Sequence, residues 1–331
     1  RMTQDAATPA DNPLLDFSGL PRFADFSPAQ ITPALDALLA QAADAVARVT
    51  RADAPVDWAS LVEPLEDATE RLTRAWGVVG HLNSVADTPE LRAAYNENLP
   101  RVTQFWTELG QNRALYERYQ ALHDSPAFAR LDPARQRTVT LALQGFKLGG
   151  VELVSPQRER FQALSERQAA LGQKYSENVL DATDAFEWLT EDARALDGLP
   201  EDAIAAARQS AQAAGKTGYR LTLHFPSYYP VMQYAHSREL RETLYRAYVT
   251  RASEVAVAPD DATRRAELDN SAIMDELLAL RQEEAKLLGY ANYAQVSLVP
   301  KMADTPEQVI RFLRDLATRA RPFAERDLQA M

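Results

Sequence analysis

The chain has 331 residues, 46% hydrophobic and 25% charged, ordinary proportions for a folded globular protein. Its 47 acidic residues outnumber 36 basic ones, and the net charge of -11 argues against binding nucleic-acid backbones or anionic membranes. It has no cysteine, which excludes disulfides and thiolate chemistry, and no run approaches the roughly 18 apolar residues of a spanning helix.

The opening "RMTQDAATPADN" has no apolar core of the secretory-signal type. Residues 1–12 read as a disordered tail, with Arg1 before Met2 a remnant of cloning. The expectation is a cytoplasmic protein in a reducing compartment. Helical spacing of apolar residues then recurs along most of the chain. Ser27-Pro28-Ala29-Gln30 reads as a helix cap, a first-turn proline and a capping-box partner. Behind it Ile31, Leu35, Leu38, Leu39, Ala42, Val46 and Val49 form one stripe. Asp57 opens a second helix with Leu61, Leu65, Ala68, Leu72 and Ala75 inward, and Pro64 is a candidate kink. Thr88-Pro89-Glu90 opens a third, carrying Leu91, Tyr95, Val102, Phe105, Trp106 and Leu109. Asp132-Pro133 opens a fourth that ends near Gly149-Gly150, and Ser155-Pro156 a fifth with Phe161, Leu164, Leu171, Tyr175 and Val179.

One interval departs from this period. Tyr219, Leu221, Leu223 and Phe225 alternate with Arg220, Thr222 and His224, which predicts a strand with one buried face. "AFEWLT", Ala185 to Thr190, is its partner in a short β-pair, and a helix after Pro200 that stops at Gly215 fills the gap. Helices resume at Ser237, near Asn270 and at Thr305, with Gly289 placed for a helix C-terminus. Glu254 to Asn270 reads as a loop. The fold class expected is mostly α. Domains are expected at residues 13–150, a helical domain, and 151–331, a helical continuation with the β-pair, divided near Gly149-Gly150. The last helical pattern runs to Met331 without a stop signal, which reads as a chain that was cut.

Reactive constellations are mostly absent. There is no GxGxxG, no Walker pattern and no GxSxG elbow. The four histidines are His81, His123, His224 and His236, and none belongs to an HExxH zinc helix. His224 and His236 are closest in sequence, and a hydrolase built on them lacks a third ligand. Carboxylate pairs such as Glu283-Glu284 and Asp260-Asp261 are expected on solvated faces of so acidic a chain. We therefore assign no catalytic, no metal-binding and no substrate-contacting residue. The passage "FPSYYPVMQYAHSREL", Phe225 to Leu240, leaves two readings open. Ser227 can cap a helix with Pro230 in its first turn, putting Tyr228, Met232 and Ala235 on one side and Tyr229 and Gln233 on another. Those tyrosines either pin the helix start into a core or line a ligand cleft.

"PSYYPVMQYAHSRELRETLYRAYVTRAS" and "LLGYANYAQVSLVPKMADTPEQVIRFLRDLATRARP" resemble the thimet oligopeptidase and oligopeptidase A family of zinc metallopeptidases, on its bacterial side. "NPLLDFSGLPRFADFSPAQITPAL", "HLNSVADTPELRAAYNENLP" and "LGQKYSENVLDAT" extend the likeness back to about residue 11. Tyr229 stands where the family pattern has leucine, and Val299-Pro300 where it has a small residue and threonine. The resemblance implies a nearly all-helical, two-lobed peptidase whose inter-lobe channel admits short peptides. It implies a zinc held by two histidines of an HExxH helix and a downstream glutamate, with the motif glutamate as general base. Those positions have no counterpart here. The chain is thus expected to be the N-terminal part of such an enzyme, cut by design or proteolysis before the zinc motif. It would be inactive alone, bind no zinc itself, form a channel wall and tend to self-associate. The alternative is a complete, non-enzymatic helical scaffold that binds peptides or a partner domain.

Overall fold

A computed structural model describes residues 12–331, dominated by α-helices. Residues 1–11 of the expected tail lie outside the described residues. Asn12, counted with that tail, is instead buried: it accepts the Leu14 N–H at 3.0 Å and donates to the Gln30 carbonyl at 2.8 Å. Contacts divide the chain into two units, one of residues up to Ala169 together with Leu280–Met331, the other Ala170–Ala279. The division falls within a long helix, while Gly149-Gly150 closes a helix inside the first unit.

The first unit begins with α1 (Ile31–Val49), entered through the Ser27–Gln30 capping box. Asp57 caps the second segment through the Ser60 N–H, but its first turn, Trp58–Val62, is a π-turn before α2 (Glu63–Val85). Pro64 lies in the first turn of α2, where a missing N–H leaves no orphan and the wide preceding turn accommodates the ring. α3 (Pro89–Gly110) starts at the predicted Thr88 cap. α4 (Arg113–His123), capped by Asn112, is a helix the sequence reading left out. α5 (Pro133–Leu148) starts at Asp132, which accepts the Arg135 N–H.

These helices enclose two apolar clusters. Ile31, Leu35 and Leu38 of α1 meet Leu72 and Val79 of α2 and Leu91 and Val102 of α3. Leu61 and Leu65 meet Leu115, Tyr119 and Leu122 of α4 and Val139 and Phe146 of α5. Each fully buried large side chain contributes about 1.5–3 kcal/mol. Glycine sets the approach of α3 to the end of α5: a Cβ built on Gly149 would lie 2.9 Å from the Gly110 Cα. Trp106, expected inward, is 38% exposed and borders a cavity between α2, α3, α4 and α5.

α6 (Gln157–Asp184) crosses the division. In the second unit β1 (Trp188–Thr190), α7 (Glu201–Ala213) and β2 (Tyr219–Leu221) follow. β1 and β2 pair antiparallel with Trp188 opposite Leu221 and Thr190 opposite Tyr219. The strand is shorter than the predicted 219–225, since Phe225-Pro226 already opens α8 (Phe225–Tyr234). Ser227 is not the cap; its hydroxyl accepts the Thr222 N–H at 2.9 Å and ties the strand end to the helix start. α9 (Arg238–Thr250) starts at the predicted Ser237 cap. The expected loop 254–270 holds a short helix, α10 (Ala262–Glu267), capped by Asp261. The core here joins Leu196, Leu221, Leu223, Tyr228, Val231, Leu240 and Leu244. Asn270 locks the return of the chain: its N–H donates to the Ala252 carbonyl, its amide to Tyr175 O, and its Oδ1 accepts from Asn178.

α11 (Ser271–Leu287) leads back into the first unit and ends before Gly289, whose φ of +83° suits glycine. α12 (Tyr293–Leu298), capped by Asn292, and α13 (Pro306–Ala330), capped by Thr305, complete the described chain. α13 is amphipathic, yet Phe312, Leu313, Leu316, Phe323 and Leu328 are all more than half exposed. Among the described residues no helix is long and apolar enough to cross a membrane.

Candidate functional site: an exposed aromatic face

The tyrosine-rich passage divides between core and surface: Tyr228 is buried, whereas Tyr229 and Tyr234 are exposed. Tyr228 points into the core, 8% exposed, and stacks on Tyr248 of α9 at 4.1 Å between ring centroids. The Arg251 guanidinium sits over the far side of that system, 3.9 Å from the Tyr248 ring centre. One buried guanidinium nitrogen of Arg251 has no hydrogen-bond partner, and the ring face supplies its compensating contact. Burial raises the Tyr228 hydroxyl pKa; Tyr248 and Tyr245 add to this and the Arg251 charge opposes it. Tyr228 therefore stays a neutral packing residue with a weakly acidic hydroxyl.

One residue on, the helix turns the other way. Phe225 and Tyr229 stack in solvent, centroids 4.8 Å apart, and Gln233 donates to the Tyr229 hydroxyl. Phe225 is 59% exposed, whereas the alternating pattern put it on the buried face with Leu221 and Leu223. The first turn of α8 swings it out. Tyr234, Tyr245 and Val249 are also about half exposed. The sequence reading did not single out Tyr245 and Val249; their spacing of four on α9, off the stripe of Leu240, Leu244 and Ala247, was the available signal. Exposed stacked rings can hold an extended chain by apolar contact, and the Tyr229 hydroxyl can still donate a hydrogen bond. They offer neither nucleophile nor metal ligand.

The histidines are engaged separately. His224 Nε2 lies 2.7 Å from Asp184 Oδ1 in an exposed pair. The His236 ring packs against Gly198, where a Cβ would come within 2.7 Å of it, and its backbone N–H donates to Asp197. His81 packs on Phe23 and His123 on Phe128. Among the described residues no group of three or more His, Asp or Glu side chains is placed to hold a metal ion. The acidic pairs do structural work: Glu283 clamps Arg160 at 2.6 Å, Glu284 accepts from Gln168, and Asp261 caps α10. The residues present therefore do not fit a catalytic zinc, and no step is derived through one.

Residues 35–158 match the N-terminal domain of neurolysin and thimet oligopeptidase, and residues 231–331 match peptidase family M3. The chain belongs to peptidase family M3. Relatives include oligopeptidase A of Salmonella typhimurium, 44% identical over 96% of this chain and 46% of the relative. Oligopeptidase A of Haemophilus influenzae is 42% identical over 97% of this chain and 46% of its own length. The dipeptidyl carboxypeptidase of Salmonella typhimurium is 27% identical over 94% and 45%. This M3 chain thus spans less than half the length of these relatives. The exposed aromatic residues of α8 and α9 lie on both sides of residue 231, where the M3 match begins.

Proposed function

We propose that this chain is the N-terminal part of a zinc-dependent oligopeptidase that hydrolyses short peptides in a channel between two helical lobes. The carrying observation is the order of the two family matches, N-terminal domain at 35–158 and then M3 from 231, in relatives about twice as long. The chain supplies a channel wall and a steric gate that admits short peptides and rejects folded proteins. The stacked, exposed rings of Phe225 and Tyr229 are the part of that wall best suited to peptide. Zinc and its ligands belong to polypeptide beyond this chain, so the chain alone is inactive. We place the protein in the cytoplasm, and its net charge of -11 speaks against a nucleic-acid or anionic-membrane partner. The apolar stripe of α13 supports a surface normally covered by the rest of the protein. Left bare, it promotes self-association, and a strictly monomeric chain at high concentration in light scattering contradicts that part. The test of the whole reading is the coding sequence after codon 331. An HExxH motif downstream supports it, and a stop codon there favours a complete, non-enzymatic peptide-binding scaffold.

A further inference from the structure

We propose that the cavity lined by α2, α3, α4 and α5 in the first unit binds an organic ammonium ion carried on an aromatic or apolar body. The cavity has a volume of about 450 Å³, within the range of small-ligand sites. Its walls are apolar and aromatic, chiefly Leu65, Leu115, Trp106, Tyr119 and Phe146. Gly145 of α5 leaves one wall as bare backbone, since a Cβ there would meet nothing within 4 Å.

The polar groups of the lining select the ligand's charge. The Thr69 and Thr73 hydroxyls spend their protons on the Leu65 and Thr69 carbonyls of their own helix. Tyr119 is only 1% exposed and sits in the cavity lining beside Glu66; burial, together with the Glu66 charge, raises its hydroxyl pKa. The Glu66 carboxylate, exposed to solvent, makes no ion pair or hydrogen bond among the described residues, and Glu70, also exposed, lies 3.7 Å from Arg74. The lining itself contains two carboxylates and no cation. An anion would be repelled by the two carboxylates, and a neutral apolar body would gain nothing from Glu66. An ammonium answers both: it pairs with Glu66 and meets the faces of Trp106, Tyr119 and Phe146. Partial loss of solvent around Glu66 also raises its carboxyl pKa above the ordinary value.

The test is calorimetric titration of the purified chain with phenethylamine, its neutral analogue phenethyl alcohol and the anionic hydrocinnamate, with tryptophan fluorescence as a second readout from Trp106. The amine is expected to bind at least about tenfold more tightly than the alcohol, consistent with a charge-assisted hydrogen bond, and the carboxylate not at all. E66Q abolishes the preference for amine over alcohol, and G145L, which fills the cavity, removes binding of both. Equal binding of amine and alcohol, or a preference that survives E66Q, overturns the proposal. Melting curves establish that the variants fold; should either fail to, the comparison of three ligands on the native chain decides alone.

Discussion

Two glycines four residues apart on α5 should respond to the same substitution with opposite sign. Gly145 lies inside the helix, and a Cβ added there meets nothing within 4 Å. G145A then gains only the helix preference of alanine over glycine, about 1 kcal/mol. Gly149 also has an ordinary right-handed backbone, with φ of -75°, so alanine is not excluded by conformation. Its added Cβ, however, would lie 2.9 Å from the Gly110 Cα, 3.0 Å from its carbonyl oxygen and 3.1 Å from its carbonyl carbon. All three are backbone atoms of α3 and cannot rotate away. Parting the two helix ends costs about 1–3 kcal/mol, the usual range for overpacking. Thermal unfolding followed by far-ultraviolet circular dichroism reads both, at about 2–4 °C per kcal/mol for a unit of this size. G145A should melt higher than the native chain and G149A lower. Shifts of the same sign refute the helix crossing described here.

The adjacent tyrosines make a second pair. Y228A removes a buried ring and should destabilise by about 3–5 kcal/mol, whereas Y229A on the exposed face should stay within about 1 kcal/mol in denaturant unfolding. N270A strips buried groups at Tyr175 and Asn178 of their partners and should cost about 1–3 kcal/mol by the same measurement. Glu66, one turn before Glu70 on α2 and close enough to Tyr119 to raise its pKa, carries a pH dependence. Its folded pKa is raised above the ordinary 4.5 by partial desolvation, so the folded state holds the proton more tightly than the unfolded one. Native stability therefore falls as pH rises from 4.5 through the folded value. E66Q should melt above the native chain at neutral pH and level with it well below 4.5. A pH-independent difference contradicts this.

Much of the helical frame was legible because its starts are chemical. Ser27, Thr88, Asp132, Ser237 and Thr305 stand before runs of helical spacing, and four of these five are followed by proline. Gly215 and Gly289 mark stops with φ of +68° and +83°. What escaped notice was short or contradicted its own pattern. α4, α10 and α12 are brief, and their caps Asn112, Asp261 and Asn292 lie in polar stretches that read equally well as loop. The alternation through Leu223 and Phe225 outlasts the strand because Leu223 is buried without a ladder, 1% exposed, and Pro226 turns the chain helical at once. Trp106 obeys helical spacing but faces a cavity, since Gly110 and Gly145 supply no side chain to fill it. The aromatic face divided unpredictably from sequence: which tyrosine goes inward depends on where α8 starts, and Ser227 offered a false cap. Absence of the HExxH motif was plain from the residues alone.

The account rests on hydrolysis depending on groups this chain does not carry. The direct measurement is turnover of a fluorogenic short peptide by the purified chain with added zinc, beside the full-length protein. The chain alone should release no product while the full-length protein does so in a chelator-sensitive manner. Chelator-sensitive cleavage by the chain alone, at a rate comparable to the full-length protein, would contradict it.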